Sequence, residues 1–177
     1  MIALPGGATL RPATPDDAAL LSRLKIACWR ESYAGHLPAG LLDGLEANPY
    51  HDATTWRARL AAPGPHDRTF LVEDRGTATG MMSLGTSTLQ APGYPGEVRA
   101  VYLLRPAQGR GIGTVCVEFA RTTLRHHGLT PVAVAAFAFN VRAIALYLRL
   151  GARKLGRSTV FDHDGIDYDE IIMGWPD

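Results

Sequence analysis

A β-rich segment, Glu97–Leu104 (EVRAVYLL), runs into the loop Gln108-Gly109-Arg110-Gly111-Ile112-Gly113, and a helical pattern follows directly. From Ile112, apolar residues recur at Val115, Cys116, Phe119, Ala120 and Leu124, with Thr123 in the same phase. That is the i, i+3, i+4, i+7 spacing of one helix face. Gly128 ends the helix, and Pro131 to Phe139 (PVAVAAFAF) is an unbroken apolar run, the pattern of a strand covered on both faces. Strand, glycine loop, helix and strand make a βαβ unit, so the chain reads as α/β.

The flanking segments extend that frame. Thr9-Leu10-Arg11 reads as a first strand, and Thr14-Pro15-Asp16-Asp17 supplies a helix cap, a proline and first-turn acids. The helix carries Leu21, Leu24 and Cys28 on one face and runs to Trp29 and Tyr33, with Gly35 and Pro38 breaking it. Helical stretches follow at Leu41–Leu45 and Ala53–Leu60, separated by Asn48-Pro49. Strands read at Thr69–Glu73 and Thr79–Leu84, joined by a tight turn at Arg75-Gly76. Asn140 caps a last helix whose buried stripe is expected at Val141, Ile144, Ala145 and Leu148, with Gly151 stopping it. Strands near 153–161 and 166–174 close the chain, joined by the turn signal Asp162-His163-Asp164-Gly165.

With 177 residues and no linker, one domain is expected over 1–177, its core beginning about residue 8. A net charge of +1 implies no broad face for nucleic acid. Cys28 and Cys116 cannot make a disulfide framework and sit in apolar helical patterns, so they read as buried thiols. The N-terminus lacks the basic segment and long apolar core of a signal peptide, and Val132 to Phe139 is too short to span a bilayer. A cytoplasmic protein without membrane partners is the expectation. His163 fits no zinc-ligand spacing, so no metal is expected.

A helix N-terminus exposes unpaired N–H groups and the positive end of its dipole, and so takes phosphate. Glycines at 109, 111 and 113 let the backbone approach such a ligand, and Arg105 and Arg110 add charge. A nucleoside-triphosphate loop needs Gly-Lys-Ser/Thr, whereas this one reads Gly111-Ile112-Gly113-Thr114. A dinucleotide loop needs G-x-G-x-x-G and an acid on the ribose; here Phe139 and Asn140 end the next strand.

The loop resembles the Q/R-x-x-G-x-G/A signature of the GNAT superfamily of acyl-CoA-dependent N-acetyltransferases. Asn140, Ala143, Tyr147 and Gly151 resemble the family's N-x-x-A-x-x-x-Y-x-x-x-G helix. Cys28 to Gly35 with Leu37-Pro38 is similar to the first helix of a bacterial small-molecule subgroup. Two departures stand out: Pro106 lies two residues before Gln108 where three is common, and Gly151-Ala152 replaces Gly-Phe.

The resemblance implies a single GNAT-like domain: a mixed, mostly antiparallel sheet of about six to seven strands, splayed at its centre, flanked by about four helices. It implies acetyl-CoA as co-substrate, with the backbone of Val101 and Leu103 pairing with the pantetheine arm. The loop Gln108, Gly109, Arg110, Gly111, Gly113 and Thr114 would take the pyrophosphate, and Asn140 belongs to the same cofactor set. Glu97 matches the family's general base, directly or through water, and Tyr147 the acid that protonates the departing thiolate. Trp29 and Tyr33 fall near the acceptor mouth. The implied reaction moves acetyl to a primary amine of a small molecule by direct attack in a ternary complex. The alternatives are a protein or peptide acceptor, or a non-catalytic acyl-CoA-binding module. The pattern around Phe161 to Met173 resembles the last hairpin of some polyamine acetyltransferases, which implies a cationic acceptor drawn by the acids Asp162, Asp164, Asp167, Asp169 and Glu170. Relatives are often dimers, so a homodimer is left open; no residue here fixes its interface.

Overall fold

The computed structural model describes residues 1–48, 51–163 and 166–176. Eight strands, β1 (Ile2–Ala3), β2 (Ala8–Pro12), β3 (Arg68–Asp74), β4 (Thr77–Thr86), β5 (Gly96–Leu103), β6 (Val132–Phe137), β7 (Arg153–His163) and β8 (Ile166–Trp175), follow the sheet order β1-β2-β3-β4-β5-β6-β8-β7. Five helices accompany them: α1 (Ala18–Tyr33), α2 (Ala39–Asp43), α3 (Ala53–Ala61), α4 (Ile112–His126) and α5 (Val141–Arg149). The sheet is mixed: β5 and β6 run parallel, while β1–β2, β2–β3, β6–β8 and β7–β8 are antiparallel. One strand exceeds the expected number because β1, two residues long, is too short to carry a pattern. It pairs with β2 and brings the residues before position 8 into the sheet.

The chain divides into two compact units, residues 1–83 with 100–116, and residues 84–99 with 117–177. In the first, Thr14 and Asp17 form a capping box that starts α1 after a 3-10 turn at Pro15–Asp17. The α1 periodicity places Ala18, Leu21 and Leu24 against Trp56 of α3 and against Leu71 and Met81 of the sheet. Burying a side chain like Leu21, which is wholly enclosed, stabilises by about 1.5–3 kcal/mol. Arg11 ties β2 to this helix start, donating to both oxygens of Asp17 at 2.8 Å and to Glu73 at 2.8 Å. Arg75 and Gly76, with φ of 51° and 78°, make the tight turn between β3 and β4. The Asn48-Pro49 break follows a 3-10 turn ending at Ala47, and Pro49 itself lies outside the described residues.

In the second unit, β6 is fully registered with β8, from Val132↔Trp175 to Phe137↔Glu170. The parallel ladder with β5 holds two pairs only, Gly96↔Val132 and Glu97↔Ala133. Gly96 is required here because a Cβ would strike the carbonyl of Leu129. Both cysteines are buried thiols, and burial pushes each up to about 12.

The buried stripe expected on α5 is corrected. Val141 is 71% exposed and Leu148 41%, and Ala145 is exposed too, while Tyr147 is the buried residue of the helix. Apolar residues occupy almost every side of this helix, so periodicity admits two phases. The ring of Tyr147 against Trp175 selects the other one. The turn Asp164-Gly165 lies outside the described residues, between the end of β7 and the start of β8.

Candidate active site

In the first unit, β5 ends at Leu103, a 3-10 turn covers Arg105–Ala107, and α4 begins at Ile112. The intervening loop is shaped by Gly109 and Gly111, with φ of 74° and 80°, values that an L side chain adopts only with strain. A Cβ at Gly111 would find nothing closer than Pro5 Cγ at 3.7 Å, so backbone conformation, not space, demands glycine there. Gly113 is helical. The Val115 N–H donates to the Gly111 carbonyl at 3.2 Å. The amides ahead of it, at Ile112, Gly113 and Thr114, fall in the first turn, where no helical acceptor exists. These are the groups a pyrophosphate would need.

Side chains fix that loop from outside. Gln108 donates from Nε2 to the Leu103 carbonyl at 2.6 Å, bracing the loop against the end of β5. Arg110 turns away from the helix start: its guanidinium pairs with Asp74 and donates to the Gly6 carbonyl at 3.2 Å. That cation holds the Asp74 carboxyl below the usual carboxylate range. Arg105 donates its backbone N–H to Glu31 Oε2 at 2.7 Å, joining the loop to the end of α1. Val101 and Leu103 are half-buried on β5.

Trp29 and Tyr33 come together, edge to face at 5.2 Å, and His51 also meets Trp29 edge to face at 5.1 Å. Lys25, one turn earlier on α1, is buried with its ammonium 5.9 Å from the ring centres of both Trp29 and Trp56. Burial, with Arg59 adding repulsion, lowers this lysine to about 7. Sequence reading missed Lys25 because its place on the buried face of α1 conflicts with its charge.

In the second unit, Asn140 caps α5, its Oδ1 accepting from the Ala143 N–H at 3.2 Å. Tyr147 is 5% exposed, its ring edge to face with Trp175 at 6.0 Å. Burial raises the phenol to about 12. Trp175 donates its indole N–H to the Leu150 carbonyl at 2.9 Å, fixing the far end of α5. Glu97 is buried, and one oxygen, Oε2, accepts from the N–H and hydroxyl of Thr88 at 2.7 and 3.0 Å. Thr88 sits in a loop closed by the Ser87 N–H donating to the Pro95 carbonyl at 2.7 Å, a clamp across the loop with no sequence signal.

Register decides which side of the sheet each group occupies. Paired residues share a face, so Glu97, Ala133 and Gly174 lie on one face, as do Phe137 and Glu170, each four residues along its strand. Trp175 belongs to the opposite face, with Tyr147 on it. The acidic hairpin is likewise divided. Asp169 faces with Trp175 and pairs with Arg157 at 3.3 Å, Asp167 is exposed, and Glu170 is half-buried on the Glu97 face. Asp164 lies outside the described residues. Among the described residues no group of three or more potential ligands gathers for a metal, and no helix is long and apolar enough to cross a membrane.

Residues 28–152 match the model of the acetyltransferase (GNAT) family. A relative in Bacillus subtilis (strain 168), named as the uncharacterized N-acetyltransferase YuaI, is 26% identical over 170 residues, 96% of this chain and 93% of its own. Among solved structures, the PaiA N-acetyltransferase from Thermoplasma acidophilum, in complex with coenzyme A, superposes with a TM-score of 0.74 at 14% identity, covering 95% of this chain and 99% of that one. The ribosomal-protein-alanine N-acetyltransferase from Brucella melitensis gives 0.66 at 21% identity, covering 95% and 99%.

Proposed function

The chain belongs to the GNAT family of acetyltransferases, and on that premise we propose that it moves the acetyl group of acetyl-CoA to a primary amine of a small molecule, by direct attack in a ternary complex. When bound, acetyl-CoA supplies an activated thioester. The residues present fit such a donor: two left-handed glycines shape a loop that ends in unshared helix-start amides. Gln108 to Thr114 hold the pyrophosphate through those amides, and backbone groups of Val101 and Leu103 pair with the pantetheine arm, one N–H polarising the carbonyl. Arg110 contributes by anchoring the loop to Asp74.

An alkylamine arrives as ammonium and needs a base before it can attack. Glu97 takes that proton at its Oε1, since Thr88 occupies Oε2. Tyr147 gives its phenolic proton to the departing thiolate; the phenol is protonated at neutral pH, its ring held by Trp175. The presence of a buried phenol and a buried carboxylate in one unit, reached from opposite faces of the sheet, is the observation that supports turnover over mere acyl-CoA binding. Trp29 and Tyr33 contribute aromatic surface to the acceptor.

Free-thiol release from acetyl-CoA, measured across polyamines, aminoglycosides, amino acids and N-terminal peptides, tests the reading. Turnover with a small amine supports it. Turnover confined to peptides favours a protein acceptor, the class named for the Brucella melitensis ribosomal-protein-alanine N-acetyltransferase. Turnover with spermidine but not neutral amines would identify a polyamine-like acceptor.

A further inference from the structure

Thr88 donates twice to a single carboxylate oxygen. Its N–H lies 2.7 Å and its hydroxyl 3.0 Å from Glu97 Oε2, and neither bond goes to Oε1. Glu97 is 6% exposed, and a carboxylate so enclosed needs hydrogen-bond partners to stay ionised in place. Both of these partners come from one residue of the loop between β4 and β5.

That loop is braced at several points. The Ser87 N–H donates to the Pro95 carbonyl at 2.7 Å, and the Arg99 guanidinium to the Thr86 carbonyl at 2.7 Å. Within it, the Leu89 N–H donates to the Ser87 hydroxyl at 3.3 Å and the Tyr94 N–H to the Ala91 carbonyl at 3.1 Å. The ring of Tyr94 rests against Gly174, where any Cβ would strike it. Gly174 is registered with Ala133, and Ala133 with Glu97. The loop therefore arches along one row of the sheet, from Thr88 on Glu97 to Tyr94 on Gly174. Small residues at Ala133 and Gly174 keep that row low enough for the arch to lie down.

We propose that Thr88 is the positioning residue of the base: by holding Oε2 of Glu97 it presents Oε1 to the ammonium of the acceptor. The inference rests on the acetyl-transfer reading above, in which Glu97 is that base. The terminal torsion of a glutamate is broad, so an untethered carboxylate spreads its lone pairs over many directions. A base works only within hydrogen-bond reach of the proton it takes. Two charge-assisted bonds to one oxygen fix the carboxylate and leave the other oxygen to the substrate. The acceptor N–H bond breaks toward Oε1, its electron pair stays on nitrogen as the nucleophile, and the proton passes on to solvent.

Amide exchange and kinetics on the full chain test this. The Thr88 amide should exchange with heavy water about tenfold faster in Glu97→Ala than in the wild type; equal rates overturn the clamp. With the amine that gives the fastest thiol release, Thr88→Val should lower kcat about tenfold, the scale of a slightly misplaced group. Its KM for acetyl-CoA should be unchanged, and Thr88→Ser, which keeps the hydroxyl, should recover most of the loss. In a Glu97→Gln background, Thr88→Val should cost little more, because a positioning residue acts only through the base. Wild-type kcat in either single variant, or an undiminished Thr88→Val loss in the double variant, overturns this inference and leaves acetyl transfer standing. If the wild type acetylates no amine, the proposed function fails and the role of Thr88 fails with it, whatever the exchange shows.

Discussion

Tyr147 and Trp175 meet edge to face with ring centres 6.0 Å apart, which makes the phenol part of the fold before it is part of any chemistry. Tyr147→Phe keeps that ring contact and removes only the hydroxyl. The expected result is a kcat lower by roughly a hundredfold, the scale of a lost proton donor, with little change in KM for acetyl-CoA or in melting temperature. Steady-state thiol release and a thermal melt check it, and an unchanged kcat removes Tyr147 from the mechanism. Because burial lifts the phenol to about 12, any basic limb of kcat due to Tyr147 should lie above that of a free tyrosine.

Gly111→Ala tests the loop. At φ of 80° the alanine is strained while its methyl has room, so a cost of about 1–2 kcal/mol falls on the loop conformation. Coenzyme A affinity by calorimetry should weaken about tenfold, equivalent to that strain. Undiminished affinity would separate the loop from donor binding.

Lys25 and His51 predict how the first unit responds to pH. The folded chain holds Lys25 near 7 against an ordinary 10.5, and His51 near 4 against 6.5. In both cases the unfolded chain binds the proton first as pH falls, so stability rises with pH between about 7 and 10.5 for the lysine, and between about 4 and 6.5 for the histidine. Lys25→Met keeps the apolar stem. Its melting temperature should lose the rise above pH 7 that the wild type shows; an identical slope in both proteins would refute the assignment.

Arg11 carries a structural prediction. Its hydrogen bonds to Asp17 hold that carboxyl down at about 2. This contribution is complete above the ordinary 3.8 and is lost as pH falls toward 2. Arg11→Ala should cost about 1–2 kcal/mol at neutral pH, given the bidentate geometry and partial exposure. Urea unfolding at pH 7 and pH 3 measures it, and the difference between the two proteins should be smaller at pH 3.

The sequence made α4 legible because its periodicity has one phase, and it made the glycine loop legible because Gly109 and Gly111 are needed for backbone geometry that few other residues adopt. It did not settle α5, where apolar residues on every side left the choice to Trp175, far along the chain. The Asp74 anchor on Arg110 joins segments 36 residues apart, and the Thr88 clamp on Glu97 closes an irregular loop; neither shows in local pattern. Glu170 is different. Strand alternation already separates it from Asp167 and Asp169, yet an acidic run invites reading as one patch.

The face assignment of Glu97 and Tyr147 carries a consequence for the proposed mechanism. A base and an acid that serve one tetrahedral carbon from opposite faces of a sheet need an opening through it, and the ladder between β5 and β6 holds only the pairs Gly96↔Val132 and Glu97↔Ala133. On the proposed roles, extending that ladder would part the two groups while leaving each in its place.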